Sequence, residues 1–333
     1  MPSIAILAVE NCLLSGVVGP LEIFTIANSL ALGSEGENAP VTPGFAPLEI
    51  VGLVPGEVAT FTGTTLRVET PLASACPDIL VIPPIFGDFD ALLANAALTD
   101  RLRALHARGS IIASCCAGSF LLAQAGLLEN KAATTHWQLA ENFRKRYPGV
   151  DLRPDLMLID GGHWVCAGGA MAWQDLALHL VARFMGHGAA SRCAKILVMD
   201  GTRHAQTPYF FFDSRPGSDT GHSDAAIDAV LGWMRENYKL SFGLEELAEQ
   251  ARLGKRTFLR RFKRTTGRTP MEYLRQLRLE AARHLLEVSG KNIEEITALA
   301  GYEDSSSFRR LFKEKTGLTP KEYRSRFHRL VSL

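Results

Sequence analysis

Residues 256–270 read RTFLRRFKRTTGRTP and residues 306–320 read SSFRRLFKEKTGLTP, identical at eight of fifteen positions. On a helical wheel the first copy puts Phe258 and Phe262 on one side and Arg260, Lys263 and Arg264 on the other. The second copy turns Phe308 and Phe312 inward and Ser306, Arg310 and Lys313 outward. Thr266-Gly267 and Thr316-Gly317 read as helix ends, with Pro270 and Pro320 where a helix cannot continue. A shorter amphipathic helix precedes each copy: Leu244, Leu247, Ala248 and Ala251 before the first, Ile293, Ile296, Thr297 and Ala300 before the second. Arg252-Leu253-Gly254 and Gly301 supply the turns, with Gly254 and either Asp304 or Ser305 as expected N-caps. Helix, three-residue turn, helix is the spacing of a helix-turn-helix, here near 244–265 and 293–315, joined by one helix over Met271 to Leu286.

The formal net charge of +1 hides an asymmetry. Residues 1–222 hold 14 Lys/Arg against 20 Asp/Glu, and residues 223–333 hold 22 against 15, so the halves carry −6 and +7. From Gly254 to Arg268 there are seven Lys/Arg and no acid. A solvated face seldom sustains such a run, and a stacked repeat array would need about three units where this chain has two. Double-stranded DNA is therefore the expected partner of the basic half. Two recognition helices about one DNA turn (about 34 Å) apart would let one polypeptide read neighbouring major grooves.

The pattern F-x-R-x-F-K-x-x-T-G-x-T-P-x-E-Y, present as Phe258 to Tyr273 and Phe308 to Tyr323, resembles the AraC/XylS family of bacterial transcription regulators over about 100 residues. The resemblance implies base contacts from Arg256, Thr257 and Arg260 in the first recognition helix and from Ser305, Ser306 and Arg310 in the second. Glu314 stands where the first copy has Arg264, so the two helices are expected to contribute unequally.

The acidic half alternates apolar runs with helical periodicity. Ile4 to Val9, Leu48 to Val54, Ile79 to Ile82 and Ile111 to Ala113 read as buried strands. Leu21 to Leu30, Leu98 to Ala107, Phe120 to Leu128, Trp137 to Tyr147 and Ala170 to Met185 read as helices. The alternation predicts an α/β domain over 1–200, flavodoxin-like and three-layered with a mostly parallel sheet. Asn28 to Pro47 is expected to be a surface loop. The stretch 201–223 is expected to link this domain to an all-α DNA-binding domain over 224–333. Gly109 to Leu128 is uncharged, but its serines, glycines and strand-then-helix pattern argue against a membrane span. Six cysteines without a C-x-x-C pair, and no secretory leader, fit free thiols in a reducing cytoplasm. No motif calls for a metal or cofactor.

In ASCCAGSFLLAQAGLL a strand ends and a helix begins within three residues. Cys116-Ala117-Gly118 has the small residues that a strained elbow needs, and a helix N-terminus there is expected to lower the thiol pKa. Together with Val-Val-Gly-Pro-Leu-Glu (Glu22), read as a turn, Ala-Gly-Leu-Leu, Thr-Thr-His-Trp (His136), Ala167-Gly168-Gly169 and Asp175, this resembles the class I glutamine-amidotransferase-like, PfpI-type domain. It looks most like the version fused to AraC-type DNA-binding domains in GlxA-type regulators. The resemblance implies a pocket where Glu22, Pro84, Ile85, Cys116, Ala117 and His136 converge, holding a small-molecule effector. It also implies a homodimer, with RNA polymerase as a further partner. Catalysis is not expected: Ala117 replaces the histidine that follows the cysteine in protease-like relatives, and Pro83-Pro84-Ile85 replaces Pro-Gly-Gly, removing an N–H from an oxyanion hole. Two other uses of Cys116 are a redox sensor and a residual hydrolase or hydratase acting on a small nitrogen compound.

Overall fold

The first apolar run forms β1 (Ile4–Ala8), buried at every residue, as a strand covered on both faces must be. The computed structural model describes residues 1–32, 44–201, 203–212 and 224–328 and divides into two units, Met1–Gln206 and Thr207–Leu333. In the first unit β1 is followed by β2 (Leu48–Gly52), the hairpin β3 (Gly56–Ala59) and β4 (Thr65–Val68), β5 (Thr70–Pro71), β6 (Ile79–Ile82) and β7 (Ile111–Cys115). A small pair, β8 (Ala132–Ala133) and β9 (Asp151–Leu152), precedes β10 (Leu158–Asp160) and β11 (Trp164–Ala167). Seven strands form one sheet in the order β10-β11-β7-β6-β1-β2-β5. Every neighbour is parallel except β10 on β11. Parallel strands need crossovers, and α1 (Leu14–Leu32), α2 (Asp90–Leu93), α3 (Ala96–Ala107), α4 (Gly118–Gln124) and α5 (Ala140–Arg146) lie in them, while α6 (Trp173–Met185) and α7 (His187–Ile196) follow the last strand.

Two features differ from the reading of the sequence. Helix α1 begins seven residues before Leu21, so Val-Val-Gly-Pro is helix and not turn. Gly19 serves packing: a Cβ there would lie 2.4 Å from the Trp173 ring of α6. Asn28 of the expected surface loop also belongs to α1, and its side-chain amide exchanges two 2.8 Å hydrogen bonds with the backbone of Phe45; residues 33–43 of that loop lie outside the described residues. The uncharged stretch 109–128 divides into β7 and the short α4, neither long enough to span a bilayer.

The second unit is helical throughout: α8 (Ala225–Asn237), α9 (Leu244–Gln250), α10 (Lys255–Thr266), α11 (Pro270–Val288), α12 (Ile293–Leu299), α13 (Ser305–Thr316) and α14 (Pro320–Phe327). It holds two cores. Phe258 and Phe262 pack with Leu247, Met234, Tyr273 and Leu274 in one. Phe308 and Phe312 pack with Ile296, Ala282, Leu286 and Tyr323 in the other. The repeat extends to the caps: Gly267 (φ 71°) and Gly317 (φ 75°) end α10 and α13 in the left-handed conformation that glycine adopts without penalty. Capping boxes Thr269–Glu272 and Thr319–Glu322 then start α11 and α14, each with proline in its first turn.

Asp224 ties α8 to α10. Its buried carboxylate caps α8 and accepts two bonds from Arg261, at 2.7 and 2.5 Å. The Arg261 guanidinium is the main reason the Asp224 carboxyl sits below its ordinary pKa. A depressed folded pKa adds stability that is complete above the unfolded value, about 3.9, and is lost as pH falls through the folded one. We therefore expect Asp224→Asn to be less stable than the wild type at neutral pH and the two to converge on acidification below about pH 4. Parallel denaturation curves at every pH would refute this.

Candidate nucleic-acid interface and cysteine elbow

Helix α10 starts after its N-cap Gly254 and exposes Arg256, Arg260, Lys263 and Arg264, with Thr257 half-buried. The side chains of Arg256, Arg260 and Lys263 make no hydrogen bond or ion pair among the described residues, although Lys263 lies in the field of Glu272. Three unpaired cations on one face of one helix leave their charge available to an outside anion. Arg264 is different: its guanidinium is 3.8 Å from Asp224, so part of its charge is already answered.

In α13, Ser306, Arg310 and Lys313 are exposed. Glu314 pairs with Lys315 at 2.8 Å, and Arg310 lies in the field of Asp304 and Glu314. This helix therefore offers less free positive charge than α10. Each recognition helix is pinned to the helix before it, by Lys255–Glu245 and by Arg309–Glu294, both at 2.5 Å.

Of the two expected caps of α13, the structure selects one. Four residues separate α9 from α10 and five separate α12 from α13, so the second turn is longer by one. Asp304, not Ser305, is the N-cap, its carboxylate accepting from the N–H groups of Ser306 and Ser307. Counted from the caps, Arg256, Thr257 and Arg260 correspond to Ser306, Ser307 and Arg310. Ser305 is the first helical residue, with its hydroxyl buried and unpartnered, while Ser307, which the sequence reading omitted, is exposed. The extra residue in the turn was visible in the sequence as Asp304 beside Ser305.

In the other unit Cys116 occupies the elbow between β7 and α4. Its φ of 53° is left-handed, a conformation costly for a residue with a side chain. Four bonds hold it there or brace its surroundings: its N–H donates to Ala167 O (2.9 Å), and its C=O accepts from Thr135 Oγ1 (2.9 Å), Ser119 Oγ (3.0 Å) and the Ser119 N–H (3.4 Å). Gly118 lets the end of β6 press close, since a Cβ would meet Ile82 Cγ2 at 2.9 Å and Pro83 O at 3.1 Å.

The chemistry expected of the elbow is reversed. Burial, not the helix end, controls the thiol: Cys116 is 4% exposed and its pKa is pushed up to about 12. A helix of two turns cannot offset that desolvation, and at neutral pH almost none of the thiol is ionised. Cys115 and Cys166 are also raised by burial. The exposed Cys76 moves the other way, lowered by hydrogen bonding with Arg101 at 3.4 Å. Brief treatment with iodoacetamide at pH 7.5 should therefore alkylate Cys76 at least about tenfold faster than Cys116, read by peptide mass spectrometry. Preferential labelling of Cys116 would overturn this account of the elbow.

The pocket expected around Cys116 is only partly assembled. Pro84, Ile85, Cys116 and Ala117 are all buried just beyond the ends of the paired strands β6 and β7, with Pro84 O accepting from the Leu13 N–H at 2.8 Å. Glu22 instead stands exposed on α1, because the turn expected to carry it is helix. His136 is half-buried; its Nδ1 accepts from the Gln138 N–H at 3.2 Å, capping a 3-10 turn, and burial lowers its pKa. A cavity of about 320 Å³ opens to one side, where the carboxyl ends of β1 and β2 present Glu10, Asn11, Leu53 and Val54 to Phe89 and Leu92.

Residues 16–183 match the DJ-1/PfpI family, and residues 247–326 match a helix-turn-helix domain. The HTH-type transcriptional regulator CdhR of Pseudomonas aeruginosa is 30% identical over 227 residues, covering 68% of this chain and 66% of its own length. The HTH-type transcriptional regulator GlxA of Rhizobium meliloti is 28% identical over 322 residues, 92% of each chain. The chain thus spans 56% to 66% of several of the curated relatives it matches and nearly all of GlxA. Among solved structures, a ThiJ/PfpI family protein from Pseudomonas syringae shares the fold, with a TM-score of 0.50 at 17% identity, over 75% of this chain and 88% of that one.

Proposed function

We propose that this chain, which belongs to the DJ-1/PfpI family and carries an AraC-type helix-turn-helix domain, is a sequence-specific DNA-binding regulator of transcription acting in the bacterial cytoplasm. The observation that carries the reading is the exposed, unpaired face of Arg256, Arg260 and Lys263 on α10, repeated in weaker form by Arg310 and Lys313 on α13. A helix inserted in the major groove needs such a face: side chains near its start reach base edges and cations further along meet phosphate. Arg256, Thr257, Arg260, Ser306, Ser307 and Arg310 are assigned to base edges, Lys263 and Lys313 to phosphate, and Arg264 to a lesser part because of Asp224.

The DJ-1/PfpI unit is assigned to sensing a small molecule, with a homodimer and contact with RNA polymerase as further parts of the proposal. Catalysis by Cys116 is disfavoured by its un-ionised thiol and by Pro84, which cannot donate to an oxyanion. The redox reading meets the same obstacle, because oxidation begins from thiolate.

Lys263→Ala tests the phosphate assignment. Losing one phosphate contact should weaken binding to cognate and shuffled duplexes alike and reduce the slope of log affinity against log salt by about 0.9. A loss confined to the cognate duplex would reassign Lys263 to a base.

A further inference from the structure

The first unit ends at Gln206, which is 1% exposed. Its Nε2 lies 2.8 Å from Thr135 O, 2.9 Å from Pro154 O, 3.1 Å from Leu156 O and 3.1 Å from Thr134 Oγ1, and its Oε1 accepts from the Trp137 N–H at 3.3 Å. Three carbonyls around Nε2 fix the orientation of the amide, since exchanging its ends would set oxygen against oxygen. The slot exists because residue 168 is glycine: a Cβ there would come within 2.0 Å of Nε2.

The walls of this slot are the supports of the cysteine elbow. Thr135, whose C=O receives Gln206, donates its hydroxyl to Cys116 O. Ala167, next to Gly168, receives the Cys116 N–H. Any shift of the elbow therefore moves two walls around a buried side chain that has no slack.

The next residue begins the second unit, and 207–212 lie across both of its cores. Thr207 Oγ1 donates to Thr316 O at the end of α13 (3.1 Å), and Arg326 of α14 donates to the Tyr209 hydroxyl (2.7 Å). The buried Arg283 of α11 donates to Phe210 O. Phe212 packs on Tyr273 (ring centroids 5.0 Å apart) under the Arg268 guanidinium, beside the first core. The part of the expected 201–223 linker between Thr207 and Phe212 is thus a strap over both helix-turn-helix halves, while residues 213–223 lie outside the described residues.

We infer that Gln206 and the strap Thr207–Phe212 form the mechanical link by which the state of the elbow region sets the relative placement of the two recognition helices. Gln206 is the positioning residue, anchored in the elbow's own supports. Because coupling is reciprocal, DNA held by α10 and α13 must in turn change the stability of the Gln206 slot. The inference rests on the DNA-binding reading above.

The test uses the full chain and a duplex it selects from a random-sequence library. Hydrogen exchange is followed at 132–137 and 154–157 with and without that duplex. In the wild type we expect DNA to change exchange there by about tenfold, within the usual range of coupling between sites. A Gly-Gly-Ser-Gly insert between Gln206 and Thr207 leaves slot and strap whole and should abolish the change while basal protection stays. Gln206→Ala should speed exchange at 132–137 even without DNA. The inference fails if the wild type binds the duplex with no change at these segments, or if the insert preserves the change. A chain that selects no duplex would defeat the DNA-binding reading and this inference with it.

Discussion

Arg260→Ala is expected to weaken binding to a selected cognate duplex by about 1 to 3 kcal/mol and to relax the preference at one base pair. The side chain is exposed, has no intramolecular partner among the described residues, and lies about one and a half turns into α10 on the face opposite Phe258 and Phe262. An arginine so placed can donate two parallel hydrogen bonds to guanine, and alanine there loses both without disturbing the buried face. The matching change, Arg310→Ala, should cost less, because Asp304 and Glu314 already draw on the charge of Arg310. Equal losses on cognate and shuffled duplexes would mean that Arg260 meets phosphate instead.

The second large effect is on stability. Phe312 is fully buried, with ring centroids 5.6 Å from Phe308 and 5.3 Å from Tyr323. Phe312→Ala should cost about 3 to 5 kcal/mol, the lost transfer of the ring plus the cavity it leaves. That is a large share of the about 5 to 15 kcal/mol that holds a typical domain together. Because the two halves bury separate aromatic clusters, the loss should fall on α12–α14, with hydrogen exchange rising there and remaining slow in α9 and α10. A variant that unfolds at the wild-type denaturant midpoint, or loses both halves together, would contradict the description of two cores.

The helical unit was readable from sequence because its signals are local and agree with one another. Aromatic spacing, left-handed glycines and the Thr-x-x-Glu caps of α11 and α14 all fall where one helix ends and the next begins. The turn before α13 is longer by a single residue, which makes Asp304 the N-cap and buries the Ser305 hydroxyl. The α/β unit was readable in its longest apolar strands and in its periodic helices, such as α3 and α6, but not in its short strands. Strands β5, β8 and β9 are two residues each and exist through pairing with distant partners, which no local pattern reports. Gly19 and Pro20 mimic a turn, yet Gly19 is there for the Trp173 ring, a contact 154 positions away. The elbow itself was legible as Cys-Ala-Gly, but its chemistry was not: the pKa of Cys116 is set by burial, a tertiary property. Gln206 left no sequence signal beyond a polar residue in a stretch of turn formers.

The central claim is that the basic faces of α10 and α13 read DNA sequence. It is tested most directly by titrating the full chain with its selected duplex and with a shuffled duplex of the same composition across a range of salt concentrations. The account predicts at least about a thousandfold preference for the selected duplex, with both affinities falling linearly on logarithmic axes as salt rises. Equal affinity for the two duplexes, or binding indifferent to salt, would contradict it.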